Sequence, residues 1–506
     1  MPTRVPNTQS GSLTDHQRGS DDTFVGFTFL FGDAYSMFDH SRGGNDTLKG
    51  SDYSPQNVLY GDASAMYDHS RGGNDTLTGG DYSSNQLYGD AALMTGNAVG
   101  GDDELTGGQN AVNQLFGDAY EMDGRARGGN DTLNGGSGSL LPGSAPSLLM
   151  YGDAFAMHDA TRGGNDTLNG GGFAVHALLY GDANTMDGTS IGGDDTLNGG
   201  SGITSDLYGD ASVLAGSARG GNDTLIAGAS QTNNLFGDAF EMHDDSRGGD
   251  DQLTSHPGSS VNSLYGDARV MDGNSRGGND VLNGGGGGLG DSLYGDAYEM
   301  HDHASGGDDT LIAIRGRSNT LFGDAFSMTD DTRGGNDTLT GSSGFFPATL
   351  YGDANTMSGN AQGGNDTLTG VAPAGSDTVL YGDAFSMSGN ARGGDDTLIS
   401  SNGNDHMWGD AAVINGVAAS PTAPTGSVKT GADTFVFAPN SGTDTIGDFR
   451  QSDGDRIDVS AYGFTSLTNM MITFDGANTK IAFDSNDSVT LTGFTATLRS
   501  SDFVFA

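Results

Sequence analysis

The chain has 506 residues, of which 88 are Gly, and carries 21 Lys+Arg against 66 Asp+Glu, a formal charge of −45. That charge repels nucleic acid and anionic membrane, and it strains any compact fold that lacks cations. With hydrophobic residues at 34% and no Cys, the sequence excludes one large globular core, disulfide staples and thiolate chemistry.

Residues 1–25 form an N-terminal segment. It has no apolar core of a secretory signal, which predicts no Sec-type leader. It already holds a degenerate repeat, GSDDTF at 19–24. No apolar run reaches the length of a membrane span.

From 26 to 412 one phrase returns 14 times. L-(Y/F)-G-D-A begins at Leu30, Leu59, Leu87, Leu115, Leu179, Leu207, Leu235, Leu264, Leu293, Leu321, Leu350 and Leu380, with Met150 leading one copy and MWGDA at 407 closing the series. In the first 13 copies the residue 18 positions on is the Leu of a second phrase, GG(N/D)D-x-L. Variation in length falls in the return segment before the next copy, the longest being NGGSGSLLPGSAPSLL after Leu133. A fixed unit with variable returns predicts an all-β parallel β-solenoid of about 14 coils. Leu, Ala and the Met seven positions on, such as Met37, Met66 and Met122, are the inward candidates.

Each unit sets Asp among glycines. A hard cation such as Ca²⁺ needs several oxygens, and Gly lets the backbone turn its carbonyls toward one point. The first column of candidate ligands is Asp46, Asp75, Asp103, Asp131, Asp166, Asp195, Asp223, Asp251, Asp280, Asp309, Asp337, Asp366 and Asp396. The plainer alternative is an Asx-turn, with each Asp bonded to its own backbone. One divalent ion per copy would reduce the charge of −45 to about −19.

GG(N/D)D-x-L-x-G resembles the nonapeptide of the repeats-in-toxin (RTX) family, the hemolysin-type calcium-binding repeat. SNGNDHMWGD at 401–410, with Asp405, is the nearest single match. The resemblance implies an RTX-like β-roll that binds many Ca²⁺ ions. The usual array alternates two calcium turns per 18-residue coil, whereas Met stands here where the second Asp belongs. The second column therefore stays open between ligand and turn-former: Asp33, Asp62, Asp90, Asp118, Asp153, Asp182, Asp210, Asp238, Asp267, Asp296, Asp324, Asp353, Asp383 and Asp410.

Other columns have simpler readings. Thr precedes the Leu in ten of 13 copies, similar to the ladder of ice-binding solenoids, but Lys49, Ile226, Ile312 and Ile399 interrupt it. The aromatic column from Phe31 and Tyr60 to Trp408 reads as stacking within the solenoid, or as a glycan or partner surface. Arg stands before GG in nine of 13 copies, where it relieves acidic repulsion. The His residues read as turn residues. No HExxH occurs, and the two GxSxG matches, at 188–192 and 273–277, fall in repeat register without a strand–elbow–helix context. No catalytic residue is expected.

Residues 413–430 read as a Pro/Thr/Ala-rich linker, and 431–506 as a β-rich cap. GADTFVFAPNSGTDTIGDFRQSDGDRIDVSAYGF, with the terminal SDFVFA, resembles the C-terminal domain of RTX proteins, serralysins included. That likeness implies export by type I secretion machinery and an extracellular or cell-surface location. The expected role is a calcium-stabilised scaffold. The alternatives are a glycan- or ice-binding module and, less favoured, an enzyme with a site on the solenoid face. Expected partners are calcium, the export machinery, and either further copies of the chain or a cell-surface glycan, with no nucleic acid and no membrane span.

Overall fold

A computed structural model describes residues 8–138, 147–285, 290–313, 319–342, 348–373 and 376–506. Most of the long return after Leu133 lies outside them. Two compact units divide the chain, Met1–Ser259 and Ser260–Ala506. Each is a parallel β-solenoid, and among the described residues there is no α-helix.

Three strands make one turn. In the first unit the second full turn runs Asn57–Tyr60, Ala65–Met66 and Thr76–Thr78. Each strand pairs in parallel with its counterpart in the next turn: Leu59 with Leu87, Met66 with Met94, Leu77 with Leu105. Three parallel sheets result, here named aromatic, methionine and threonine after their repeating residues. The turn is therefore the whole 28–29-residue repeat, as the spacing of bonded Asp pairs records, and not the 18-residue coil of the resembled array. The extra sheet comes from the return segment, which supplies most of each aromatic-sheet strand.

Alternation within these short strands explains the core. Thr76-Leu77-Thr78 turns only its middle residue inward. Leu77, Leu87 and Met94 are fully buried, as are their equivalents in turn after turn. Each buried Leu or Met contributes about 1.5–3 kcal/mol. From Leu59 onward the residue two before the inward Leu of the aromatic sheet is also buried. Where it is Asn, the amides bond between turns, Asn57 to Asn85 and Asn85 to Asn113 at 2.8 Å each. Aromatic rings stack on that sheet, with centroids 4.7 Å apart for Tyr88 on Phe116 and 4.8 Å for Tyr60 on Tyr88.

The N-terminal segment joins the solenoid: Thr8–Leu13 pairs with the methionine sheet and Thr23–Phe27 with the threonine sheet. In the second unit the threonine sheet continues through Thr434–Val436, Arg456–Asp458 and Phe503–Val504. The ladder thus crosses the 430/431 boundary drawn from composition. The aromatic sheet ends in antiparallel strands Ser488–Leu491, Thr479–Ala482 and Met471–Phe474, which close that end.

Candidate metal sites

Both Asp columns lie inside the turns. Every member of each is buried. In the first column one carboxylate oxygen accepts the backbone N–H of the Asp one turn earlier. Asp75 Oδ1 takes the N–H of Asp46 at 2.5 Å, Asp103 that of Asp75 at 2.6 Å, and Asp223 that of Asp195 at 2.6 Å. The second unit repeats this, from Asp309 N–H to Asp337 at 2.7 Å through Asp366 N–H to Asp396 at 2.8 Å. An Asx-turn would bond the Asp to its own turn. Here the bond joins successive turns.

The other oxygen has no such bond. Oδ2 of Asp46, Asp75, Asp103, Asp131, Asp166, Asp195, Asp223, Asp309, Asp337, Asp366 and Asp396 is buried with no hydrogen-bond partner. A Cβ added to Gly181 would collide with Asp195 Oδ2 and with the carbonyl oxygen of Gly209. A carboxylate and a carbonyl thus converge on space that only Gly leaves free.

The second column has its own geometry. Each Asp from Asp33 to Asp383 accepts the N–H of the second Gly of its own GG pair, as in Gly193 to Asp182 at 3.0 Å and Gly364 to Asp353 at 2.7 Å, and Asp410 accepts that of Gly431 at 2.6 Å. Beside the first Gly of the pair, two carboxylates from successive turns meet. A Cβ on Gly192 would overlap Asp210 Oδ1 and Asp182 Oδ2, and one on Gly72 would overlap Asp90 Oδ1. Oδ2 of Asp210, Asp296, Asp324, Asp353 and Asp383 has no hydrogen-bond partner.

Such a site cannot hold its charges unaided. Burial, then the charge of Asp33, pushes Asp46 up to about 8. Burial raises Asp166 to about 8 and Asp118 to about 7. Asp75 and Asp195 stand well above the usual carboxylate range, first from burial and then from neighbouring Asp charges. Buried like charges a strand apart demand protons or cations. Orphaned all-oxygen donors, carboxylate and carbonyl, fit a hard divalent cation such as Ca²⁺. Asp195 with Gly209 beside Gly181, and Asp182 with Asp210 beside Gly192, are the residues that would hold such ions between successive turns.

The C-terminal end supports this reading with a cation of its own. Arg450, 4% exposed, places Nη1 3.7 Å from Asp410 Oδ2 and 3.8 Å from Asp453 Oδ2. Its Nε and Nη2 donate to the Ser420 carbonyl at 3.3 Å. Where the Asp column ends, a guanidinium supplies the positive charge. Arg450→Met is expected to cost about 3–5 kcal/mol by leaving Asp410 buried and unpaired. A thermal melt of the calcium-loaded chain checks this.

The structure stacks both series of Asp from turn to turn, and two residues depart from the spacing. Asp405 lies in neither column. It occupies the buried Asn position of the aromatic sheet and accepts the Ser401 N–H at 2.6 Å. Asp433 does join the first column, taking the N–H of Asp396 at 3.0 Å, and its Oδ2 is buried without a hydrogen-bond partner. GADTF was read as the start of a cap, and the 37-residue gap from Asp396 hid its register.

Two smaller points concern other motifs. Ser190, in the first GxSxG match, is fully buried and donates to the Asp187 carbonyl at 2.8 Å. Among the described residues, Glu121, Asp123 and His158 bring ligand atoms within 4.8 Å of one another on the surface, a neighbourhood across turns that chain spacing conceals.

The Gly cradles yield a direct prediction. Gly192→Ala is expected to destabilise the fold by about 1–3 kcal/mol, because the backbone tolerates Ala but the space does not. Gly172→Ala, whose Cβ would have nothing nearer than 3.8 Å, is the control and should be neutral. Melting temperatures of the two variants distinguish them.

No protein-family model, curated protein or solved structure matches the chain. The functional reading therefore rests on the site.

Proposed function

We propose that this chain is an exported calcium-binding scaffold of the hemolysin-type repeat kind. The observation that carries the reading is the pair of buried carboxylate columns, in which Oδ2 of members such as Asp75, Asp195, Asp337 and Asp353 has no protein donor. In a calcium-poor compartment these charges oppose folding, and the chain stays open for transport. Outside, Ca²⁺ supplies the missing charge and with it the free energy of folding.

The C-terminal likeness to serralysin-type export domains supports type I secretion as the route. No helix of the described residues is long and apolar enough to cross a membrane. The role we assign is structural, at or outside the cell surface. A second reading, a glycan- or ice-binding module, draws on the outward residues of the threonine sheet, where Thr76, Thr132 and Thr167 flank inward Leu. Glu104, Lys49 and Ile226 break that face, which weakens the second reading.

Equilibrium dialysis tests the proposal. The expected result is roughly one or more Ca²⁺ per turn, undisturbed by millimolar Mg²⁺. Binding of only one or two ions to the whole chain would refute it.

A further inference from the structure

One corner of the first unit carries two charged rows that the calcium sites do not use. Arg42, Arg71, Arg127, Arg162, Arg219 and Arg247 are exposed, and the row is held in parallel register from turn to turn. Three residues earlier stand Asp39, Asp68, Asp159 and Asp244 at one register position, with Asp123 one residue off it, exposed or half-buried on the same corner. The corner is itself stacked, with the His69 N–H on the Asp39 carbonyl and the Ala160 N–H on the Gly124 carbonyl, 2.9 Å each.

Among the described residues, Arg42, Arg71, Arg127 and Arg162 have no carboxylate within ion-pair distance, although Asp and Arg share each turn. Stacking like charges on neighbouring strands is unfavourable. Like charges stack directly at Asp39 on Asp68, Arg42 on Arg71, Arg127 on Arg162 and Arg219 on Arg247, and such unpaired charges of opposite sign side by side are a surface that an oppositely patterned surface would satisfy.

We propose that this corner pairs with the same corner of a second copy, the two solenoids lying parallel and in register. Three observations lead there. First, the partner must present charges at the same rise per turn, about one strand spacing; a second copy does so over every turn without drift. Second, symmetry selects the direction. A twofold axis parallel to the solenoid sets the Arg row of each copy against the Asp row of the other, whereas antiparallel copies would set Arg against Arg. Third, in-register pairing sets each turn against itself, so a turn lacking one charge should lack its complement. The turn Thr95-Gly96-Asn97-Ala98-Val99 has neither Asp nor Arg on the corner, while Asp68 with Arg71 and Asp159 with Arg162 keep both. Asp187 with Ile191, and Ala215 with Arg219, depart from this rule singly. The pairing gives the proposed scaffold a lateral contact and rests on that reading, since the corner exists only in the folded chain.

The absence of Cys permits a clean test. His69→Cys places a thiol between Asp68 and Arg71, near the proposed twofold axis. At saturating Ca²⁺ and about 50 mM NaCl, sedimentation velocity should show dimers or larger species, and mild oxidation should yield a disulfide-linked pair. At about 0.5 M NaCl both should fall at least tenfold. Thr78→Cys, on the threonine sheet, should not cross-link. Adding Arg42→Glu, Arg71→Glu and Arg127→Glu to His69→Cys should abolish cross-linking, and a second His69→Cys copy with Asp39→Lys, Asp68→Lys and Asp123→Lys, mixed in equal amount, should restore it as a mixed disulfide. A folded chain that is monomeric at low salt overturns the pairing, as does equal cross-linking of the two Cys variants. A monomer whose Arg row instead captures polyglutamate would also overturn it. Circular dichroism on the same samples separates these outcomes from failure to fold with calcium, which would refute the scaffold reading itself.

Discussion

Asp195→Asn with Asp223→Asn is expected to act with opposite sign in the presence and absence of calcium. Without metal, the pair removes two buried like charges. Asn keeps the acceptor used by the preceding turn's N–H. Its new NH₂ replaces Oδ2, which shares the Gly181 cradle with the Gly209 carbonyl, and so faces an acceptor. The metal-free fold should gain about 2–4 kcal/mol. With metal, two charged ligands are lost, and the calcium midpoint should rise about tenfold or more. Denaturant melts in chelator and in saturating Ca²⁺ measure both arms. Destabilisation in both would mean that the carboxylates serve the fold as hydrogen-bonding groups and not as cation ligands.

Acid should replace calcium. The folded pKa values of these Asp residues lie above the unfolded value of about 3.9, with Asp324 near 6, Asp118 near 7 and Asp46 near 8. The folded state therefore holds more protons than the unfolded one between about pH 4 and pH 8. Its stability is fully present below the unfolded pKa and is lost as pH rises through the folded values. A carboxylate moved from about 3.9 to about 8 accounts for on the order of 5 kcal/mol by the top of that range. In chelator the chain should thus gain β-structure on acidification from pH 8 to about pH 5, at low protein concentration because the pI is near 4.1. With saturating Ca²⁺ the trend should vanish or reverse, since protons then compete with the ion. A metal-free chain that loses structure on acidification over this range would contradict the account.

How much of this was legible in the sequence depends on the row. Leu, Ala and Met could be placed inward because they recur at fixed offsets, and a solenoid turns fixed offsets into columns. The Asp columns were visible for the same reason. The third sheet was less legible. Strands such as Gly172–Tyr180 and Ser201–Tyr208 arise from return segments of unlike sequence and length, and the register of their neighbours defines them more than their own pattern does. Asp405 shows the converse. NDHMW looks like the Asp phrase, yet it stands two residues before the inward Met407, where Asn57 stands before Leu59. Counting back from the aromatic phrase, and not matching the local motif, gives its true place. Arg450 carried no periodic signal, because it meets Asp410 only after the chain has closed its last turns.

The most direct test of the central claim is far-ultraviolet circular dichroism during a Ca²⁺ titration from chelator at pH 8. The account predicts a disordered chain that becomes β-rich cooperatively with Ca²⁺ and stays disordered with equal Mg²⁺. A chain already β-rich in chelator at pH 8, and unmoved by Ca²⁺, would show that the buried carboxylates need no metal and would contradict it.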